Sequence, residues 1–248
     1  MSVEVWLCRD EDLPAERAAE LADRWLDDQE HATADRFVFD RDRRQYLASH
    51  VLVRRVLSLR TDVPEAQLRF WRSHRGRPFL EPPVGGWPHG DQGLDFNLSH
   101  THGANVVGVS SHRRIGVDVE MVDREDMRSV DRVAEAFSAG EREWLAGLPA
   151  EVRRREVLRL WVLKEAYAKA RGLGLALPFD SFAFDLDLDG PVHGFRPPRD
   201  DPDGNWQFVE LDAGDSIQLA VAVERLGTEL CSVQLHRGFP ALEPVLSS

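Results

Sequence analysis

Lysine is almost missing from this sequence. Of the 31 Lys and Arg residues in 248, only Lys164 and Lys169 are lysine and 29 are arginine. Both lysines fall in the ten residues Trp161–Ala170, on either side of Glu165. A guanidinium keeps its proton at any useful pH, whereas an ammonium is a compact point charge whose pKa moves readily. Two ammonium groups kept so close together mark this stretch as a candidate for chemistry; the competing reading is a compositional bias that spared two sites.

Other scarcities exclude whole classes. There are two cysteines, Cys8 and Cys231. They are far apart and form no metal or redox spacing, which predicts free buried thiols in a reducing, cytoplasmic setting. No apolar run approaches the ~18 residues of a membrane span, so no membrane partner is expected. The opening Met-Ser-Val-Glu-Val-Trp has neither a basic nor an apolar leader region, which argues against a secretory signal. Positive charge is in deficit, with a net charge of -12, and this speaks against nucleic acid. Any anionic ligand must then be met by basic residues gathered locally. A hydrophobic fraction of 42% and a mean hydropathy of -0.38 describe a globular chain long enough for one large domain or two ordinary ones.

Strands and helices are interleaved, which predicts an α/β (α+β) fold. Val3, Val5 and Leu7 alternate in a first strand. A helix is expected from Pro14 to Gln29, and a long one over residues 40–59 carries Val51, Val53, Val56 and Leu57. Arg43, Arg44, Arg54 and Arg55 surround that helix and read as mostly solvated. Leu68–Arg72 reads as a short strand leading into the cationic turn Arg72-Ser-His-Arg75-Gly-Arg77-Pro. Ala104–Ser110 follows as a strand. Helices are expected over 126–136 and after Ser138, where Glu141 three residues on fits a capping box. The helix over 152–170 carries both lysines, and Gly172 suits its end. Strands are expected at 182–188, 206–211, 217–224 and 230–236, with an irregular tail after Gly238. Phe39–Ala48 faintly echoes Phe137–Ala146, which suggests two similar halves meeting near residues 105–115.

Ile115-Gly-Val-Asp118-Val-Glu120-Met is the clearest strand. Alternation puts Asp118 and Glu120 side by side on one face. An edge strand wetting its polar face would look the same; the functional alternative is a pair of hard oxygen ligands for a divalent cation such as Mg²⁺. Glu165 and Lys169, in turn, have the spacing of an ordinary i, i+4 surface ion pair worth ~0.3–0.5 kcal/mol.

Taken together, Gly116-Val-Asp118-Val-Glu120, a gap of some forty residues, and Trp161-Val-Leu-Lys164-Glu165-Ala-Tyr-Ala-Lys169 resemble the signature of the 4′-phosphopantetheinyl transferases. Gly76-Arg77-Pro78, Asn97-Leu-Ser99-His100 and Gly172-Leu-Gly-Leu-Ala-Leu-Pro178 add to the likeness with the monomeric, double-length Sfp-type branch, over roughly residues 35–225. The resemblance implies two similar α/β subdomains in a pseudo-twofold arrangement, each with a small sheet packed on a long helix. Residues 1–110 would form the coenzyme A nucleotide side and 111–248 the metal and catalytic side, with the site at their interface. It implies Mg²⁺-dependent transfer of the phosphopantetheine arm of coenzyme A to a serine of an apo acyl or peptidyl carrier protein of fatty acid, polyketide or nonribosomal peptide synthesis, releasing 3′,5′-ADP. By the same resemblance Asp118 and Glu120 would hold the metal, and Glu165 would be its third ligand, the base, or both. Lys164 and Lys169 would offset phosphate charge, Ser99 and His100 would hold the 3′-phosphate, and Arg72, Arg75 and Arg77 would flank the nucleotide. The chain departs from the family at Thr33, near Glu30, and at His50, where basic residues are common. Two alternatives are a metal-dependent phosphohydrolase using His100 and His102 with Asp118 and Glu120, and a non-catalytic carrier-binding module.

Overall fold

The computed structural model describes residues 2–88, 93–122, 127–188, 190–214 and 216–242. The expected tail lies outside the described residues from 243 onward.

The first sheet has strand order β11-β1-β5-β4, built from β1 (Ser2–Arg9), β4 (Leu94–Thr101), β5 (Ala104–Ser111) and β11 (Ser232–Arg237). The second has order β6-β10-β9, built from β6 (Ile115–Met121), β9 (Trp206–Glu210) and β10 (Ile217–Glu224). Strand alternation decides what each face meets. Val3, Val5, Leu7 and Val106 of the first sheet pack against Ile115, Val117, Val119, Leu219 and Val221 of the second in one buried cluster. The sheets therefore pack on each other, and at Gly108 they approach closely: a Cβ there would lie 2.6 Å from Val117 Cγ1.

A long helix covers each outer face. Helix α3 (Asp40–Thr61) buries Leu47, Val51, Leu52, Val56 and Leu57 against Phe96, Val107 and Val109. Helix α6 (Ala150–Arg171) lies on the second sheet over Gly116, Ala220 and Ala222. These small residues let the helix sit close: a Cβ on Gly116 would be 2.0 Å from the Ala166 carbonyl oxygen.

Between these pieces run α1 (Ala15–Trp25), α2 (Asp28–Ala34), the hairpin β2 (Phe70–Arg72) and β3 (Pro78–Leu80), α4 (Met127–Ala134), α5 (Ala139–Ala146), and the hairpin β7 (Ala183–Leu186) and β8 (Val192–Arg196). The single helix expected over 14–29 is thus two. Leu26 is extended and Asp27 opens α2 with a capping box closed by Glu30. No helix is long and apolar enough to cross a membrane among the described residues.

The halves repeat one device in detail. The capping glutamate of α2, Glu30, accepts from Arg54 of α3 at 2.5 Å. The capping glutamate of α5, Glu141, pairs with Lys164 of α6 at 2.9 Å. Both cations are 0% exposed. Each also donates to two carbonyls three residues apart in the segment after its helix: Arg54 to Glu65 and Leu68, Lys164 to Phe179 and Phe182. A buried charge needs such complete pairing. The equivalence therefore runs α2–α3 to α5–α6, not along the Phe39 and Phe137 echo, and Arg54 is a buried strut, not a solvated charge. The chain passes between the sheets at residues 112–114, but β11 returns to pair in parallel with β1, so the first sheet takes its edge from the end of the described chain.

Candidate functional site

The two sheets meet where β4 runs beside β6, and the junction is stitched by side chains. Asp95 accepts from the Ile115 backbone N–H at 2.9 Å and Asn97 accepts from that of Val117 at 2.9 Å. Ser99 donates to Asp118 Oδ1 at 2.8 Å and Thr101 to Glu120 Oε2 at 3.1 Å. Every second residue of β4 from 95 to 101 thus reaches β6. The alternation Asp-x-Asn-x-Ser-x-Thr is present in the sequence, but short polar side chains in a strand look equally like a wet face, so local pattern alone does not reveal the stitching.

Helix α6 closes the site. Lys169 Nζ donates to Asp118 Oδ1 at 2.6 Å and to Ser99 Oγ at 2.8 Å. The expected i, i+4 surface pair is therefore replaced by a pairing across elements. Asp118 Oδ2 is buried and has no hydrogen-bond partner among the described residues. Glu165 is 8% exposed. Burial first, then the charge of Asp118, push its carboxyl up to about 7, while Lys169 opposes the rise. An acid with this pKa is poised to exchange a proton near neutrality.

Other expected site residues sit elsewhere. The Lys164 ammonium lies in a closed cage of Glu141, two carbonyls and the rings of Phe137, Phe182 and Phe184. Burial pulls it down to about 8 against the opposing pull of Glu141. It cannot reach a phosphate without giving up these bonds. Glu141, expected to cap, does so and also accepts from the Phe184 backbone N–H at 3.0 Å. Arg77 is likewise buried; both terminal nitrogens are taken by backbone carbonyls and Asp95, and its Nε is buried without a partner, so the guanidinium is turned into the protein. Arg72 and Arg75 are exposed on the hairpin turn. His100 follows Ser99, so its ring points to the other face of β4; burial and then Lys169 lower its pKa, against Asp118. Beside that face is a cavity of about 490 Å³ lined by Tyr46, His50, Phe70, Trp71, Arg72 and Leu98, among others. Asp27, Glu30 and Thr33 border it too, so the first half offers little positive charge there.

Among the described residues no group of three or more His, Cys, Asp or Glu side chains is placed to hold a metal ion. This corrects one expectation. The mixed site of His100, His102, Asp118 and Glu120 is not assembled: His102 lies exposed on the β4–β5 turn. Asp118 and Glu120 stand on one face of β6, and Glu165 lies near enough to Asp118 to feel its charge. The residues still fit Mg²⁺, which is usually held by one or two carboxylates plus substrate phosphates and water. Lys169 occupies Asp118 Oδ1, and the buried Oδ2 of the same carboxylate is left without a hydrogen-bond partner.

Fold and site together define a protein of two repeated α/β halves with an acid–ammonium site in their seam. Comparison with known proteins agrees. A profile of the 4′-phosphopantetheinyl transferase superfamily matches residues 114–222, and one for the N-terminal part of 4′-phosphopantetheinyl transferase matches residues 13–113. The 4′-phosphopantetheinyl transferase HetI of Nostoc sp. is 32% identical over 87% of this chain and 85% of its own. The 4′-phosphopantetheinyl transferase psf-1 of Bacillus pumilus is 30% identical over 70% of each, and ffp of Bacillus subtilis 31% over 67% of this chain and 69% of its own. The chain belongs to the 4′-phosphopantetheinyl transferase family, enzymes that move the phosphopantetheine of coenzyme A onto carrier proteins.

Proposed function

We propose that this protein, acting as a monomer in the cytoplasm, converts apo acyl or peptidyl carrier proteins to their holo forms at the β4–β6–α6 seam. The observation that carries the reading is the convergence of Ser99, Asp118, Glu165 and Lys169 from three elements. In this reading the carrier serine hydroxyl attacks the pyrophosphate phosphorus that bears the pantetheine arm. The bond to the 3′,5′-ADP oxygen breaks and the serine proton passes to Glu165. A hydroxyl of pKa far above neutrality is a poor nucleophile alone, and a carboxylate whose conjugate acid sits at about 7 is well matched to take its proton. Lys169 gives its ammonium to the phosphate oxygens and the departing ADP, because charge neutralisation dominates such transfers. Mg²⁺, held by Asp118 and Glu120 with Glu165 adjacent, would supply further neutralisation of the pyrophosphate. The nucleotide end would occupy the cavity bordered by Trp71, Tyr46 and Arg72, with Arg75 and His100 as further candidates for its phosphate.

The test is mass spectrometry of apo carrier proteins mixed with this protein, coenzyme A and Mg²⁺. The expected result is a gain of the phosphopantetheine mass on the carrier serine. An unchanged mass across several acyl and peptidyl carriers would sink the assignment.

A further inference from the structure

We propose that Arg77 is a positioning residue that holds Lys169 in register across the seam and makes no contact with the nucleotide. Its guanidinium joins three elements. Nη2 donates to Asp95 Oδ2 at 2.7 Å and to the Phe96 carbonyl at 3.2 Å, both on β4, and to the Ile115 carbonyl on β6 at 2.9 Å. Nη1 donates to the backbone carbonyl of Lys169 in the last turn of α6. The side chain is buried, and a planar fork of donors suits acceptors spread over two strands and a helix in this way.

The partners it chooses are the point. Lys169 is gripped at both ends: its carbonyl by Arg77, its ammonium by Ser99 of β4 and Asp118 of β6. A lysine side chain has four rotatable bonds, so where its ammonium rests depends on how firmly its backbone is placed. Arg77 fixes that backbone against the same two strands that supply the ammonium's acceptors. The chain around it is shaped for the purpose. Gly76 has φ 85 and the Ser73 N–H bonds the Arg77 carbonyl at 2.9 Å, which makes the tight turn that presents the side chain. On the far side Gly172, with φ 68, passes over the arginine stem, and a Cβ there would come within 3.2 Å of Arg77 Cδ. Reaching a nucleotide would cost Arg77 all four bonds and leave the buried Asp95 with only the more distant Arg114, at 3.8 Å, as its cation.

The kinetic part of the test rests on the transferase reading; the spectroscopic part does not. Because the chain holds only Lys164 and Lys169, ¹³C,¹⁵N-lysine labelling gives two side-chain signals. In Arg77→Met the Lys169 signal is expected to move while that of Lys164, in its separate cage, stays. In the carrier assay kcat is expected to fall on the order of a hundredfold, the cost of ångström-scale misplacement, with KM for coenzyme A held within about twofold. Asp95→Asn, which loosens Arg77 while leaving its charge, should show both effects in weaker form if Arg77→Met fails to fold. A rise in KM for coenzyme A with kcat retained, or an unmoved Lys169 signal in a folded variant, overturns the proposal. A wild-type protein without transferase activity would sink the functional reading alone, and the lysine signals would still decide the role of Arg77.

Discussion

At the scale of single residues, Glu165 shows how burial turns an ordinary carboxyl into a candidate base. Its neighbours in sequence are a caged lysine and an alanine, and neither explains its pKa; the shift to about 7 comes from burial and from Asp118 on another element. Glu165→Gln keeps the shape and removes the base, so transfer should fall by roughly 10²–10⁴ in kcat. The wild-type rate should rise with pH through about 7 and level off above it, since the active form is the deprotonated one and its folded-state pKa lies there. A rate–pH profile with no limb between pH 6 and 8, together with near-normal activity in Glu165→Gln, would remove Glu165 from this role. Asp118, Glu120, Glu165 and Lys169 could be picked out from strand alternation and helix spacing. Lys164 and Arg77 could not be placed, because nothing in a local pattern says whether a cation faces a ligand or a cage of carbonyls.

At the scale of elements, α6 is set by the residues beneath it. Gly116, Ala220 and Ala222 make a shallow floor, and the helix backbone fills it. Gly116→Ala would drive a Cβ to 2.0 Å from the Ala166 oxygen and 2.4 Å from the Ala170 nitrogen. Neither is the flexible end of a side chain, so the helix itself must shift. The expected cost is ~2–3 kcal/mol, a fall in Tm of roughly 4–10 °C, and a matching loss of transfer because Lys169 and Glu165 ride on that helix. Calorimetry and the carrier assay on one sample check both, and an unchanged Tm would show that the helix is not seated as described. The strands β1, β6 and β10 and both long helices were legible from periodicity. The break between α1 and α2 was not, because it depends on Asp27 capping and on Glu30 being claimed by Arg54.

At the scale of the whole molecule, the two halves are not sequential blocks. The chain builds the first sheet, crosses to the second and sends β11 back to β1. Val233 and Leu235 join the core between the sheets, and Phe239 and Leu242 pack under α3. The cluster around α6 contains none of residues 230–242. Removing residues 230–248 should therefore loosen the first sheet more than the second. Hydrogen exchange is expected to quicken in β1 and β5 well before α6, and the bared edge of β1 should promote association. Equal loosening of both halves would show that the return strand matters no more to one than to the other.

The sequence by itself determined the local elements, the paired carboxylates on β6 and the helix bearing Glu165 and Lys169, which follow from alternation and helical pitch, properties of neighbouring residues; the family signature came from resemblance. The tertiary structure alone decided which charges meet. It put Lys169 on Asp118, closed Lys164 and Arg54 into matching cages, and spent Arg77 on the seam. The reason is physical: burial makes a charge depend on every partner within a few ångströms, and those partners come from β4, β6 and α6, which are remote in sequence.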